Sequence, residues 1–167
     1  MRIEVSRDVF RLAQVFTISR GSRTEAQVLT VRITDGGVTG WGECVPYARY
    51  GETLESITAE IEALSGPLTR DALYDLLPAG AARNAVDCAL WDLHAKQAGK
   101  PVWELAGLAR PGPEITAFTL SLDSPEKMRE QAALHAHRPL LKIKLGTPDD
   151  MPRLEAVRAG APDAQII

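Results

Sequence analysis

The sequence predicts an α+β domain, built from an antiparallel meander plus helices, followed by the first units of a parallel (β/α) barrel. Three apolar, strand-like stretches occupy residues 3–45, and helical patterns follow as far as residue 105. Beyond a segment rich in proline and glycine, residues 107–113, strand and helix patterns alternate. Because strands separated by helices are joined by right-handed crossovers, this second part favours a parallel sheet.

The first part begins with three predicted strands, Ile3–Phe16, Ala26–Thr34 and Val38–Val45. The second and third are separated by Asp35-Gly36-Gly37, a sequence that reaches positive φ at little cost and is typical of a hairpin turn. The residues between the first two strands, Thr17–Glu25, are expected to form a loop. The pattern therefore predicts a small antiparallel meander with one long connection.

Four helical segments are predicted next, at about 53–64, 69–77, 81–98 and 101–105. Thr69 is suited to cap the second segment, because its hydroxyl can accept a hydrogen bond from the first turn. The third segment is the strongest, since Gly99 is placed to end it and apolar residues recur along it at helical spacing. This stripe consists of Ala82, Val86, Ala89, Leu90 and Leu93.

The second part contains a predicted strand at 115–122, a helix at 124–137, a strand at 140–145, a helix at 148–159 and a strand at 164–167. We therefore predict two domains, residues 1–110 and residues 111–167. A closed barrel of eight such units needs about 250 residues. The barrel is expected to be truncated, and the chain to be the front part of a longer protein.

Lys142 and Lys144 form the most informative pattern, because they alternate with Leu141, Ile143 and Leu145 on one short strand. Strand side chains alternate between two faces, so the lysines share the face opposite the apolar residues. At the carboxyl end of a barrel strand such an amine is placed for proton transfer, and each ammonium favours the neutral, basic form of its neighbour. An edge strand with solvated lysines is the alternative.

Composition excludes several classes of function. The 167 residues are 45% hydrophobic, and their 19 basic and 22 acidic side chains are interspersed, which is typical of a globular protein and gives no basic surface for nucleic acid. The sequence shows neither a membrane-spanning segment nor a signal peptide, so a cytoplasmic location is expected. Cys44 and Cys88 form no metal-binding motif and are expected to be reduced core residues.

Three blocks of sequence, together with Lys-x-Lys, carry a resemblance to a known family. They are Ile18–Arg23, Gly42–Glu52 and Leu77–Leu93, and they occur in this order before Lys142. In these blocks the chain resembles the enolase superfamily, its muconate-lactonizing subgroup, and within that subgroup the dipeptide epimerases of the L-Ala-D/L-Glu type. The resemblance implies an α+β capping domain over the mouth of a TIM-type barrel.

The resemblance implies a Mg²⁺-dependent 1,1-proton transfer at the carbon next to a carboxylate, which is a known property of the superfamily. By position, Lys144 matches the base on the second barrel strand, and Lys142 matches the lysine that accompanies it. The acidic magnesium ligands and an opposing lysine would lie beyond Ile167, so no metal ligand is predicted within this chain. The isomerase activity is expected of the full-length protein, and the chain alone is expected to be inactive.

The resemblance also implies a dipeptide as the small-molecule substrate. Arg20 and Arg23, in the predicted loop, are candidates to bind a glutamate side chain, because a guanidinium forms paired hydrogen bonds with a carboxylate. Tyr50, after the third strand, and Thr119, on the first barrel strand, are further candidates. Each of the four also has an ordinary explanation, as a solvated loop residue or a structural strand residue.

Other functions stay open at this point. A muconate cycloisomerase, an o-succinylbenzoate synthase or an N-acylamino acid racemase would keep Lys144 and differ in the loops. From a different class, the chain would be a truncated protein that binds a ligand or a partner without catalysis. Under the leading hypothesis, the full-length protein is expected to be a homo-oligomer that acts in cell-wall peptide recycling.

Overall fold

A computed structural model describes residues 1–66, 68–146, 148 and 150–167 of the chain. These residues divide into two compact units. The first consists of Met1–Phe10 with Gln27–Pro111, and the second of Arg11–Ala26 with Gly112–Ile167. The predicted division at residue 110 assigned the whole of the first hairpin to one domain, whereas the far end of that hairpin belongs to the second unit.

The meander is a three-stranded sheet in the order β1 (Arg2–Ile18), β2 (Gly21–Asp35) and β3 (Val38–Cys44). Strands β2 and β3 are antiparallel, with Asp35 paired to Val38. The two glycines between them have φ values of 56° and 79°, which a residue with a side chain seldom adopts. The predicted hairpin is therefore confirmed, and the glycines explain why the turn closes there.

The predicted loop Thr17–Glu25 was wrong, because β1 and β2 continue through it and leave only Ser19 and Arg20 in the turn. Across this hairpin the hydroxyls of Thr17 and Ser22 lie 2.8 Å apart. Most side chains here are exposed and polar, so no alternation of apolar residues marks the extension in the sequence. We call Arg11–Ala26 the hairpin arm.

Among the residues that the structure describes, four helices and one 3₁₀ turn complete the first unit. Thr53 and Thr69 cap the first two helices, each accepting a hydrogen bond from an amide three residues later, which confirms the predicted cap at Thr69. The elements are a 3₁₀ turn (Ala48–Tyr50), α1 (Leu54–Glu62), α2 (Arg70–Leu76), α3 (Ala81–Ala98) and α4 (Val102–Leu105).

Helix α3 packs directly on β3, and its bounds are those predicted. Gly99 ends the helix with φ 62°, which is the left-handed conformation expected there. The close approach depends on Gly40 and Gly42, where an added Cβ would overlap the backbone of α3. Around this contact lies a core of buried aliphatic residues from the sheet and the helices, centred on Leu29, Ile33, Ile57, Ile61, Leu90 and Leu93.

Of the two cysteines, only Cys44 is a core residue. Burial, followed by the charges of Glu52 and Glu43, raises the pKa of the Cys44 thiol to about 11. Cys88 is exposed, so the prediction of a core position was wrong for it. Its place on α3 lies off the buried stripe, on the side that carries Asn84. Both thiols are free.

The second unit contains a three-stranded parallel sheet, in the order β4-β5-β6, and two helices. Its elements are β4 (Phe118–Thr119), α5 (Pro125–Leu134), β5 (Leu140–Lys142), α6 (Asp150–Gly160) and β6 (Gln165–Ile166). The two helices bury an apolar cluster against one face of the sheet, formed by Leu120, Met128, Ala132, Leu141, Ile143, Val157, Ala161 and Ala164. The predicted fold class is confirmed.

Individual bounds differ from the prediction in this unit. The strand predicted at 115–122 is the shorter Phe118–Thr119, and the strand predicted at 140–145 is Leu140–Lys142. Of the helix predicted at 148–159, Asp149 lies outside the described residues. No helix among the described residues is long and apolar enough to cross a membrane.

Candidate active site

Lys142, the last residue of β5, and Lys144, two residues beyond the strand, follow the alternation that turns Leu141 and Ile143 towards α5 and α6. Leu141 and Ile143, which alternate with them, are 0% and 8% exposed and belong to the apolar cluster of the second unit. Strand alternation then places Lys142 and Lys144 together on the opposite face. Lys142 is exposed and Lys144 is half-buried. Neither ammonium has a hydrogen bond or an ion pair within the described part of the chain.

Strand β4 adds polar side chains to the same face. Thr119 is paired with Lys142, and residues paired in neighbouring parallel strands point to the same side of the sheet. Leu120 is 2% exposed and belongs to the apolar cluster under the helices, so the alternation turns Ser121 to the opposite side, where Thr119 lies. The face therefore presents two ammonium groups beside two hydroxyls, all at the carboxyl ends of parallel strands.

The hairpin arm lies against these strand ends. The Thr17 amide donates a hydrogen bond of 2.8 Å to the Ser121 hydroxyl, and the Leu122 amide donates one of 3.0 Å to the Thr17 carbonyl. Both bonds join residues that are about a hundred positions apart in the chain. The sequence contains no signal for these two bonds, because a serine or threonine on a strand does not indicate which distant residue it will bind.

The turn of the arm reaches the residues that follow Lys144. A Cβ added at Gly146 would lie 3.6 Å from the Cβ of Ser19, which is ordinary van der Waals contact. Arg20 is the next residue in this turn, and Arg23 follows at the start of β2. Both are exposed, and neither guanidinium has a hydrogen bond or an ion pair among the residues described. The structure thus places a cationic turn next to the end of β5.

Tyr50 belongs to the first unit. It ends the 3₁₀ turn Ala48–Tyr50, is 75% exposed, and has its ring centroid 6.2 Å from that of Tyr47. The substrate-binding role predicted for Tyr50, like those of Arg20, Arg23 and Thr119, stays a prediction.

Sequence reasoning missed the role of Glu52, which fixes the segment that carries Tyr50. The Glu52 carboxylate accepts hydrogen bonds of 2.8 Å from the amides of Tyr47 and Ala81. The sequence did contain a signal that another residue must cap α3, because Gly80, the residue before the helix, has no side chain that could do so. A carboxylate at this helix end also interacts favourably with the helix dipole.

The described residues do not fit a metal centre. No group of three or more histidine, cysteine, aspartate or glutamate side chains is close enough to hold an ion among the residues that the structure describes. Carboxylate and carbonyl oxygens are the ligands that Mg²⁺ prefers. The magnesium ion implied by the resemblance therefore has no ligand set in this part of the chain, and no chemical step is assigned to it here.

Comparison with known proteins identifies a family for this chain. Residues 2–107 match the N-terminal domain of mandelate racemase and muconate lactonizing enzyme. The chain is 42% identical over 171 residues to an L-Ala-D/L-Glu epimerase from Escherichia coli K12, covering 99% of this chain and 53% of that protein. It is 41% identical over 146 residues to an N-acetyl-D-glutamate racemase from a Pseudoalteromonas species, covering 84% and 46%. The chain spans about half the length of these relatives.

Solved structures share the fold. An enolase family member from Agrobacterium tumefaciens, with homology to dipeptide epimerases and with bound sodium and L-Ala-L-Glu, superposes with a TM-score of 0.93 at 52% identity, covering 98% of this chain and 52% of that one. A dipeptide epimerase from Enterococcus faecalis V583, complexed with Mg and L-Leu-L-Tyr, gives a TM-score of 0.85 at 30% identity, covering 98% and 51%. Both similarities extend over nearly all of the present chain.

Proposed function

This chain belongs to the mandelate racemase and muconate lactonizing enzyme family, and we propose that the whole protein epimerises dipeptides of the alanyl-glutamate type. The observation that carries the proposal is the carboxyl end of β4 and β5, where Thr119 pairs with Lys142 and where Gly146, two residues after Lys144, lies near Ser19 of the arm turn. Carboxyl strand ends are where barrel enzymes place their catalytic groups.

Lys144 is proposed as the base. Its neutral amine accepts the proton from the α-carbon, and the electron pair of the broken C–H bond passes into the adjoining carboxylate. Return of a proton on the opposite face of that carbon completes the epimerisation, and the group that returns it is proposed to follow Ile167. Lys142, two residues before Lys144, is proposed as the lysine that accompanies the base.

The arm turn is proposed to select the substrate. A glutamate side chain presents a second carboxylate, and Arg20 and Arg23 offer exposed guanidinium groups that have no other partner in the described structure. A guanidinium binds a carboxylate through two parallel hydrogen bonds. Of the two, Arg20 follows Ser19, whose Cβ lies 3.6 Å from the place that a Cβ would take at Gly146.

Magnesium is proposed as the cofactor of the whole protein. A similar dipeptide epimerase is complexed with Mg, and the described residues of this chain do not hold such a site. The proposal places the ligands after Ile167. Dialysis of the full-length protein against a chelator should abolish activity, and addition of Mg²⁺ should restore it; activity that persists without metal would contradict this part.

Racemisation of N-acylated glutamate is a second candidate, favoured by the 41% identity to an N-acetyl-D-glutamate racemase. Alanyl-glutamate and N-acetylglutamate both contain an acylated glutamate, so the same base and the same guanidinium would serve either. Only alanyl-glutamate carries the ammonium group of an alanyl residue, which N-acetylglutamate lacks. The ratio of kcat/KM for the two compounds therefore decides between these candidates.

The test is exchange of the α-proton with deuterium from D₂O, followed by NMR on L-Ala-L-Glu and N-acetylglutamate with the full-length protein. Lys144→Ala should lower the exchange rate by about 10²- to 10⁴-fold, the range for loss of a general base. Lys127→Ala is the matched control, because Lys127 is an exposed lysine on α5 that pairs with Asp123. Undiminished exchange in Lys144→Ala would remove Lys144 from its role.

A cytoplasmic location, a part in cell-wall peptide recycling and a homo-oligomeric state are included in the proposal. The free thiols of Cys44 and Cys88 support a reducing compartment. Cell fractionation tests the location, and sedimentation of the full-length protein tests the oligomer. Growth on alanyl-glutamate as a nutrient, compared between the parent strain and a deletion strain, tests the recycling role.

A further inference from the structure

The Ser121 hydroxyl forms two hydrogen bonds with the backbone of the hairpin arm. It accepts one of 2.8 Å from the Thr17 amide and donates one of 3.4 Å to the Val15 carbonyl. An amide and a carbonyl two residues apart are what a neighbouring β-strand would normally satisfy. A single side chain therefore stands in for a strand partner at this point of the arm.

The backbone next to Ser121 changes partner at the same place. The Leu120 amide donates to the Lys142 carbonyl, at 2.8 Å, as part of the pairing between β4 and β5. Two residues later the Leu122 amide donates to the Thr17 carbonyl of the arm instead. The arm thus takes over the hydrogen bonding of the segment after β4, just beyond the point at which β5 ends at Lys142.

Ser121 lies between the two parts of the candidate active site. It follows Thr119, which pairs with Lys142, by two residues, as Lys144 follows Lys142. The residues that it binds, Val15 and Thr17, lead directly into the turn that carries Arg20. The position of that turn relative to Lys144 therefore depends on a bond that one hydroxyl makes.

We propose that Ser121 is a positioning residue, which holds the hairpin arm at the end of β5 and so sets the place of Arg20 relative to Lys144. The expected effect on KM rests on the proposed function, whereas the expected detachment of the arm does not. Without the hydroxyl, the Thr17 amide loses its acceptor and the arm detaches more often. The net contribution of one such hydrogen bond corresponds to about a twofold to tenfold rise in the detached population.

The structural consequence is tested by hydrogen exchange of the full-length protein, measured by mass spectrometry on peptides that cover residues 11–20. In Ser121→Ala these amides should exchange about twofold to tenfold faster, because exchange follows the population of the detached arm. Ser121→Thr keeps the hydroxyl and should restore protection. Thr58→Ala is the control, since it removes a hydroxyl that bonds to Leu54 within α1.

The kinetic consequence is tested with L-Ala-L-Glu on the same variants. Ser121→Ala should raise KM by about the factor measured in exchange and leave kcat within about twofold, because a misplaced arm weakens substrate binding and leaves Lys144 in place. Ser121→Thr should recover the lower KM. The rise in KM caused by Ser121→Ala should be smaller for L-Ala-L-Ala, which lacks the side-chain carboxylate.

Two results would overturn the inference. One is unchanged exchange of residues 11–20 in Ser121→Ala, and the other is faster exchange together with a lowered kcat at constant KM. If the unsubstituted protein does not act on any acylated amino acid, the proposed function fails. The exchange comparison between Ser121→Ala and Ser121→Thr still decides in that case whether Ser121 holds the arm.

Discussion

The Glu52 carboxylate accepts a hydrogen bond from the Ala81 amide, 2.8 Å away, at the first turn of α3. Its other oxygen accepts from the Tyr47 amide, also at 2.8 Å. One side chain therefore caps the longest helix and fixes the 3₁₀ turn that carries Tyr50. Gly80, as the residue before the helix, provides no cap of its own.

Glu52→Ala should lower the free energy of unfolding by about 1–3 kcal/mol, because it leaves two backbone amides without their acceptor. Urea unfolding of the full-length protein measures the change. Glu52→Gln keeps one carbonyl oxygen and should lose less. Glu62→Ala, at an exposed position on α1, is the matched control. Equal stability of Glu52→Ala and Glu62→Ala would refute the capping role.

Gly40→Ala and Gly42→Ala should each destabilise the protein severely. The added methyl group would overlap the Ala89 carbonyl at the first position and the Ala85 carbonyl at the second, and backbone atoms of a helix cannot move aside easily. Overpacking of this kind costs typically about 1–3 kcal/mol and sometimes more. Thermal unfolding of the two variants measures it.

The control for these substitutions is Gly112→Ala. An added Cβ at Gly112 meets no atom within 4 Å, and its φ lies outside the positive range. This variant should unfold at the temperature of the unsubstituted protein. A similar midpoint for Gly40→Ala would mean that α3 does not pack as closely on β3 as described.

Local signals explain why α3 was predicted to its bounds whereas the barrel strands were not. The apolar stripe and Gly99 lie within the helix or next to it, so the sequence contains everything that defines it. A strand ends where its partner ends, and the partner of β4 changes after Leu120 from β5 to the arm. That change depends on Thr17, which no nearby residue predicts.

Arg20→Ala should weaken the use of L-Ala-L-Glu more than Arg23→Ala does. Arg20 occupies the turn beside Ser19 and Gly146, and Arg23 lies further along β2. Loss of a charged hydrogen bond costs about 1.5–3 kcal/mol, or about tenfold to a hundredfold in kcat/KM. The measurement is α-proton exchange at several substrate concentrations.

The control for the arginines is a substrate without a side-chain carboxylate. Both variants should act on L-Ala-L-Ala as the unsubstituted protein does, since neither guanidinium then has a carboxylate to bind. A larger effect of Arg23→Ala would assign the contact to Arg23. Equal loss on both dipeptides would show that the arm does not read the side chain.

Stability should fall with acid through His135. Its ring centroid lies 4.0 Å from that of Phe118, and its Nδ1 atom is buried without a partner among the described residues. Burial, followed by the charges of Arg138 and His137, lowers the pKa of His135 below its usual 6.5. The unfolded chain therefore binds a proton more readily than the folded one.

The folded state accordingly gains stability from neutral His135 above pH 6.5 and loses it as the pH falls below this value towards the lowered pKa. Unfolding in urea at pH 7.5 and pH 5.5 measures the difference. His135→Gln should reduce the loss at acid pH, whereas His137→Gln should leave most of it. The same acid loss in His135→Gln as in the unsubstituted protein would contradict the assignment.

The candidate site was predicted in part from local pattern. Alternation of apolar residues with Lys142 and Lys144 fixes which face the two amines share, because Leu141 and Ile143 must be buried. The pattern does not reveal that Ser121 binds the arm or that Ser19 reaches Gly146. Those contacts join residues far apart in the chain and leave no periodic trace in it.

The bond between Thr17 and Ser121 spans 104 positions, so the two compact units do not correspond to two continuous pieces of sequence. During synthesis the hairpin arm is made well before the segment after β4, on which it docks. The second unit can therefore complete its folding only after both segments have been synthesised. Residues 112–167 expressed as a separate fragment would leave the Leu122 amide without the carbonyl that it binds here. Dissection of this protein into parts should therefore keep the amino-terminal hairpin with the barrel strands.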